Sequence, residues 1–116
     1  MRFKLIMALV DDRYTEAILQ AARSAGATGA TVVTSARGEG VEPEKSFLGL
    51  DISGQRDLLM FLVAEQLARD ILEHISKTGR FEEQPGAGIA FQLAIEDAVG
   101  LRSQFRVISE EIQDQI

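Results

Sequence analysis

Two stretches of this chain are apolar at consecutive positions, and each runs straight into a segment with helical spacing. Phe3 to Val10 reads Phe-Lys-Leu-Ile-Met-Ala-Leu-Val, and Asp57 to Ala64 contains Leu58-Leu59-Met60-Phe61-Leu62-Val63. A strand turns alternate side chains to opposite faces, so a run that is apolar at both parities predicts a strand buried on both sides, near the middle of a sheet. Asp11-Asp12 follows the first run and can cap a helix, because carboxylate oxygens accept hydrogen bonds from the free amides of a first turn. Arg13 to Ala25 then carries Tyr14, Ile18, Ala21, Ala22 and Ala25 at helical spacing, with Gly26 placed to end it as a left-handed cap. After the second run, Glu65 to Thr78 puts Leu67, Ala68, Ile71, Leu72 and Ile75 on one stripe. Lys77 complements the dipole in its last turn and Gly79 is the expected stop.

A further strand follows each unit. Ala30 to Ala36 is rich in Thr and Val, and Gly88 to Ile95 alternates Ile89, Phe91, Leu93 and Ile95. Right-handed crossovers then give an α+β fold, a ferredoxin-like βαββαβ sandwich with an antiparallel sheet and both helices on one face. The other face would be bare, yet the first and third strands are apolar on it. A contiguous exposed apolar face calls for a partner, and a homo-oligomer that packs its sheets inward supplies one.

Between the second and third strands, Arg37 to Gln55 holds four glycines, one proline and no sustained period. It is too long for a plain turn, and connections of this length are usually functional or disordered. Phe47-Leu48-Gly49-Leu50 gives its centre an apolar tip, which either docks a partner or folds back on the core. At the other end of the chain, Glu96 to Leu101 is expected to form a short helical turn. Ile108, Ile112 and Ile116 recur every four residues, as in a short amphipathic helix.

The 116 residues suit one domain, 1–116, and 46% hydrophobic residues supply its core. A net charge of -6 and a pI near 4.7 oppose a nucleic-acid surface. No Cys occurs, so disulfides, thiolate metal sites and cysteine nucleophiles are excluded. The first apolar run meets Asp11-Asp12 with no small-residue cleavage site, and no run reaches the roughly 20 residues of a membrane span. A cytoplasmic protein without direct membrane insertion is the expectation. His74 alone makes no metal site. The pairs Asp11-Asp12, Glu82-Glu83, Glu96-Asp97 and Glu110-Glu111 point apart on a helix and suit capping and solvation. There is neither a nucleophile elbow nor a Walker loop, so no catalytic residue is assigned and the chain is not expected to be an enzyme.

One stretch stands apart: Thr78-Gly79-Arg80-Phe81, Glu82-Glu83-Gln84, then Pro85-Gly86-Ala87-Gly88-Ile89-Ala90-Phe91. If Gly86 and Gly88 take positive φ, their uncovered amides form an anion-binding nest, and Arg80 adds charge. An ordinary helix-to-strand connection fits the same residues, and the stretch alone leaves both readings open.

In order and spacing, Leu5-Ile6-Met7-Ala8-Leu9-Val10, Gly29-Ala30-Thr31-Val32-Val33-Thr34, Gly38-Glu39-Gly40, Thr78-Gly79-Arg80, Gly86-Ala87-Gly88-Ile89-Ala90-Phe91 and Glu96-Asp97-Ala98-Val99-Gly100-Leu101-Arg102 resemble the nitrogen-regulatory PII signal-transduction family over nearly the whole chain. The resemblance implies a trimer of ferredoxin-like subunits with an adenine nucleotide in the clefts between them. It also implies a long loop that reports ligand state to a membrane transporter or a regulatory protein. By that resemblance Thr31 and Leu62 belong to the adenine pocket, Gly38, Gly40, Gly86 and Gly88 to backbone that approaches the ligand, and Arg80 and Arg102 to its phosphates. Phe47 and Leu48 become anchors for the partner. Ile89, Gly100 and Val41 stand where the family carries cations, the phosphate loop has two extra residues, and Glu82 and Glu83 lie beside it. ADP, AMP or a cyclic adenine nucleotide is therefore expected ahead of ATP. The long loop contains no tyrosine to modify, and Glu42 replaces the glutamine associated with 2-oxoglutarate and magnesium. Two alternatives share the core: a trimeric CutA-like metal-tolerance protein, and a small phosphate-handling enzyme such as an acylphosphatase.

Overall fold

In a computed structural model of the chain, which describes residues 2–36, 46–47, 50–51 and 56–101, the two apolar runs take the two central places of a four-stranded antiparallel sheet. Strand β1 is Phe3–Asp11 and leads through a 3-10 turn, Asp12–Tyr14, into helix α1, Thr15–Ser24. Strand β2 is Thr31–Ala36; two-residue strands β3, Ser46–Phe47, and β4, Leu50–Asp51, pair with each other. Strand β5, Arg56–Ala64, continues into helix α2, Glu65–Gly79, and β6 is Gly88–Ala94. The main sheet has the order β2-β5-β1-β6, with each neighbouring pair antiparallel. This is the expected ferredoxin-like arrangement of two β-α-β units.

The register sorts the apolar runs into two layers. Ile6, Ala8 and Val10 of β1 and Leu59, Phe61 and Val63 of β5 face the helices and are buried with Ile18, Ala22, Ala68, Ile71 and Ile75. The opposite parity makes a continuous helix-free face. There Leu5, Met7 and Leu9 lie opposite Leu62, Met60 and Leu58 on one side and Leu93, Phe91 and Ile89 on the other. Phe91 and Leu93 are 41% and 44% exposed. The both-faced apolar pattern thus serves one buried layer and one open layer. Strand β2 lies at the edge and is open on both faces, since Val32 and Val33 are both exposed.

Four local expectations need correction. The first helix does not start at Arg13: Asp11 accepts a hydrogen bond from the Arg13 amide and holds a 3-10 turn, and regular α-helix begins at Thr15. Gly79 does not stop α2; it is the last helical residue, buried, and Arg80 takes the left-handed conformation after it (φ 58°, ψ 38°). Space decides this, because a Cβ on Gly79 would sit 3.1 Å from the Ile18 Cδ1 and still closer to the Phe81 ring. Residues 96–101 form no helical turn: Gly100 takes φ 86° and the segment runs irregularly off β6. The 37–55 connection, read as strandless, contains the short β3–β4 pair. Gly26 does end α1 with positive φ, 116°, as expected. The amphipathic tail, 102–116, lies outside the described residues.

Candidate functional site

Beyond α2 the chain makes a compact turn over residues 80–87 before entering β6, and its amides are largely spent inside it. Arg80 and Phe81 donate to Lys77 and Ser76 carbonyls, Glu83 and Gln84 both donate to Arg80, and Ala87 donates to Gln84. These five amides are taken within the chain, as an ordinary helix-to-strand connection would have them. Gly86 takes positive φ, 77°, but Gly88 does not; it enters the ladder opposite Val10. What makes glycine necessary at 88 is space, since a Cβ there would lie 2.9 Å from the Leu9 carbonyl oxygen and closer still to the Phe81 ring.

Carbonyls, instead of amides, turn toward the end of the sheet. The buried Arg56 side chain donates from Nη2 to the Gly86 oxygen at 2.9 Å and from Nη1 to the Ala87 oxygen at 3.4 Å. Arg56 opens β5 and faces Asp11 of β1, which lies between it and the turn. Its neighbour Asp57 points to the other face and accepts a hydrogen bond from the Thr15 hydroxyl at 2.7 Å, which ties the start of α1 to β5. Arg56 and Asp57 are functional or structural residues that sequence reasoning missed. The signal was present: two charges opening an otherwise apolar central strand must find partners once buried.

The electrostatics at this sheet end are mixed. Hydrogen bonds from the Arg13 side chain hold the Asp11 carboxyl below its ordinary value near 3.8, partial burial opposes this, and the Arg13 and Arg56 charges add to the lowering. The Arg80 guanidinium, half exposed, is paired with Glu83 at 3.1 Å, so its charge is engaged within the turn. His74 lies with Nδ1 2.7 Å from the Asp70 carbonyl oxygen, a contact within its own helix. Among the described residues no three His, Cys, Asp or Glu side chains converge as a metal site would require.

Those of the expected site residues that are described do not converge within one chain. Thr31 is exposed on β2 and Leu62 half-buried on β5, both on the helix-free face. Thr31 lies opposite Met60, whereas Gly88 lies at the level of Asp57 on the far edge strand. That separates them by about 14 Å across the sheet and about 10 Å along it. Arg80, Gly86 and Gly88 are together in the 80–88 segment. Gly38, Gly40, Leu48 and Arg102 lie outside the described residues, and Phe47 is placed only as a residue of β3. No helix among the described residues is long and apolar enough to cross a membrane.

Comparison with known proteins gives a coherent picture. The family model for nitrogen regulatory protein P-II matches residues 3–104. A PII-like signaling protein from Thermus thermophilus is similar in structure, with a TM-score of 0.60 and 26% identity over 82% of this chain and 88% of its own. CPII from Thiomonas intermedia K12, a nitrogen regulatory PII-like protein, is similar at 18% identity and TM-score 0.62 in a structure bound to ADP, AMP and acetate, covering 83% of this chain and 90% of its own. Its apo form is similar at 19% identity and TM-score 0.63, covering 82% and 90%. Comparison with curated proteins gives no match.

Proposed function

The chain belongs to the nitrogen regulatory P-II family as a divergent member, and from that premise we propose that it is a homotrimeric signalling protein that senses an adenine nucleotide in clefts between its subunits. The observation that carries this reading is the dispersal of the site. Thr31 and Leu62 stand on an open apolar sheet face, and Arg80, Gly86 and Gly88 at a sheet end far from them. A second copy laid against that face both covers the apolar surface and brings one subunit's sheet to another's turn. Burial contributes about 25 cal/mol per Å² of apolar surface, so the face is a strong driving force for assembly. The edge strand β2, open on both faces, suits the same packing. CPII, with the same fold, has been seen with ADP and AMP.

Arg80 and Arg102 hold the phosphates and the 80–88 backbone approaches them, with Gly38 and Gly40 from the long connection. Guanidinium and phosphate pair bidentately, so two arginines serve one or two phosphates. Glu82 and Glu83 oppose a third, which puts ADP, AMP or a cyclic form ahead of ATP. The signal leaves through residues 38–55, with Phe47 and Leu48 as anchors on a transporter or regulatory protein. Calorimetry with ADP, AMP, cyclic AMP and ATP on the wild type and on Arg102→Ala tests the ligand. Expected is tighter ADP or AMP binding than ATP binding, weakened by the substitution; tight ATP binding that ignores Arg102→Ala overturns the site. Deleting residues 44–49 should leave the assembly intact and abolish partner capture.

A further inference from the structure

The buried arginine at the head of β5 touches two parts of the chain that sequence reading treats as separate. Arg56 is 6% exposed, and its guanidinium donates to the carbonyls of Gly86 and Ala87, the last turn residues before β6. On the backbone, the same residue pairs with Ala36, the last residue of β2, and with Asp11, the last of β1. Residues 37–55 therefore leave and return at a strand end whose side chain is fastened to the 80–87 turn. The strand end is itself irregular. Between Val33 and Ala36 the β2 strand advances three residues while β5 advances from Leu58 to Arg56, two, and Ser35 takes φ 58° inside this bulge. Bulges bend a strand and re-aim the chain beyond them, so a small shift of Arg56 is passed to the exit of β2.

We propose that Arg56 is the positioning residue that couples the 80–87 turn to the paired ends of β2 and β5. This rests on the proposed function only for its purpose, the carriage of a signal from a ligand on the turn to the connection between those strands. The link itself is made of contacts within the chain. A guanidinium suits the task because it is planar, always charged, and offers diverging donors to two carbonyls at once. A residue held in this way moves with whichever partner moves.

A double-mutant cycle read by hydrogen exchange on the full chain tests the coupling without any ligand. Gly86→Ala is strained at φ 77° and displaces one acceptor carbonyl. Arg56→Gln removes the guanidinium. Each single substitution should speed exchange at least threefold both in residues 80–90 and in residues 31–36 and 56–60, and the two together should add nothing further at the strand ends. Arg56→Lys, which keeps the charge and a donor head, should restore part of the protection, and it replaces Arg56→Gln in the cycle if that variant does not fold. Faster exchange confined to residues 56–60 in Arg56→Gln, or a strand-end effect of Gly86→Ala that persists undiminished on either Arg56 background, overturns the proposal. Adding ADP gives the second arm. Wild-type strand ends should slow, and a variant lacking the guanidinium should bind ADP without that response. If the wild type binds no ADP, the ligand reading falls while the ligand-free cycle still decides the coupling.

Discussion

The Phe81 ring lies so close to Gly88 that no side chain fits between them, and the same ring edge, through Cε1, also lies against Gly79. One aromatic residue in the turn is thus held against both the last residue of α2 and the first residue of β6, and its half-buried ring joins the core under them. The turn is fixed by this packing as well as by its hydrogen bonds.

Gly88→Ala is therefore expected to destabilise the fold by about 1–3 kcal/mol, the range for overpacking a site whose neighbour is backbone. The relevant backbone atom is the Leu9 carbonyl oxygen, which cannot rotate away without breaking the β1–β6 ladder. Thermal or chemical denaturation measures it, and an unchanged midpoint would show that the turn yields.

Arg80 is a non-glycine residue in the left-handed region, where a Cβ costs about 1–2 kcal/mol. Arg80→Gly relieves that cost and loses only an exposed ion pair with Glu83, worth about 0–1 kcal/mol. It should be at least as stable as the wild type, while Arg80→Ala should be less stable than Arg80→Gly by about 1 kcal/mol. The same two variants should both weaken nucleotide binding, which separates the stability effect from the ligand effect.

Glu83 competes with any phosphate for Arg80, because its carboxylate already accepts from the guanidinium. Glu83→Ala should tighten ADP binding by about two- to fivefold, the affinity equivalent of an exposed ion pair. Weaker binding in calorimetry would mean that Glu83 itself orients Arg80 for the ligand.

Asp11 should titrate below the ordinary carboxylate value near 3.8, chiefly through the hydrogen bonds from Arg13. A carboxyl whose folded-state value is depressed contributes stability above its unfolded value and loses it as pH falls through the folded one. Its contribution is accordingly complete at neutral pH and disappears only in acid below that value. Arg13→Ala should move the Asp11 titration upward, as NMR would show, and lower stability at neutral pH while flattening its fall in acid, because the variant no longer has the Asp11 contribution to lose.

Met7 sits at the centre of the helix-free face, opposite Met60 and Phe91. Met7→Lys should leave the helix side of the sheet packed and break the assembly, so that light scattering changes from trimer to a smaller species. A wild-type monomer at micromolar concentration would defeat the trimer itself.

The amino-acid sequence by itself determined the order of elements and their layers. Phe3 to Val10 and Leu58 to Val63 are apolar at both parities, and no other place in a small sheet suits such runs as well as its centre. The stripes on Ile18 and Ala22 and on Ile71 and Ile75 likewise named the faces that are buried. What only the tertiary structure decided are matters of space between distant residues. Gly79 and Gly88 were legible as glycines, but their reason is the Phe81 ring and the Ile18 and Leu9 atoms beside them. Local pattern made Gly79 the helix stop and left the turn open between an anion nest and an ordinary connection; packing put the left-handed residue at Arg80, and carbonyls of the turn and of the last turn of α2 took five of the amides. Arg56 and Asp57 were visible as charges at a strand start, yet their partners Gly86, Ala87 and Thr15 lie about thirty to forty residues away in sequence. No local period encodes such a distance, because a buried charge is satisfied by whatever the completed fold brings to it.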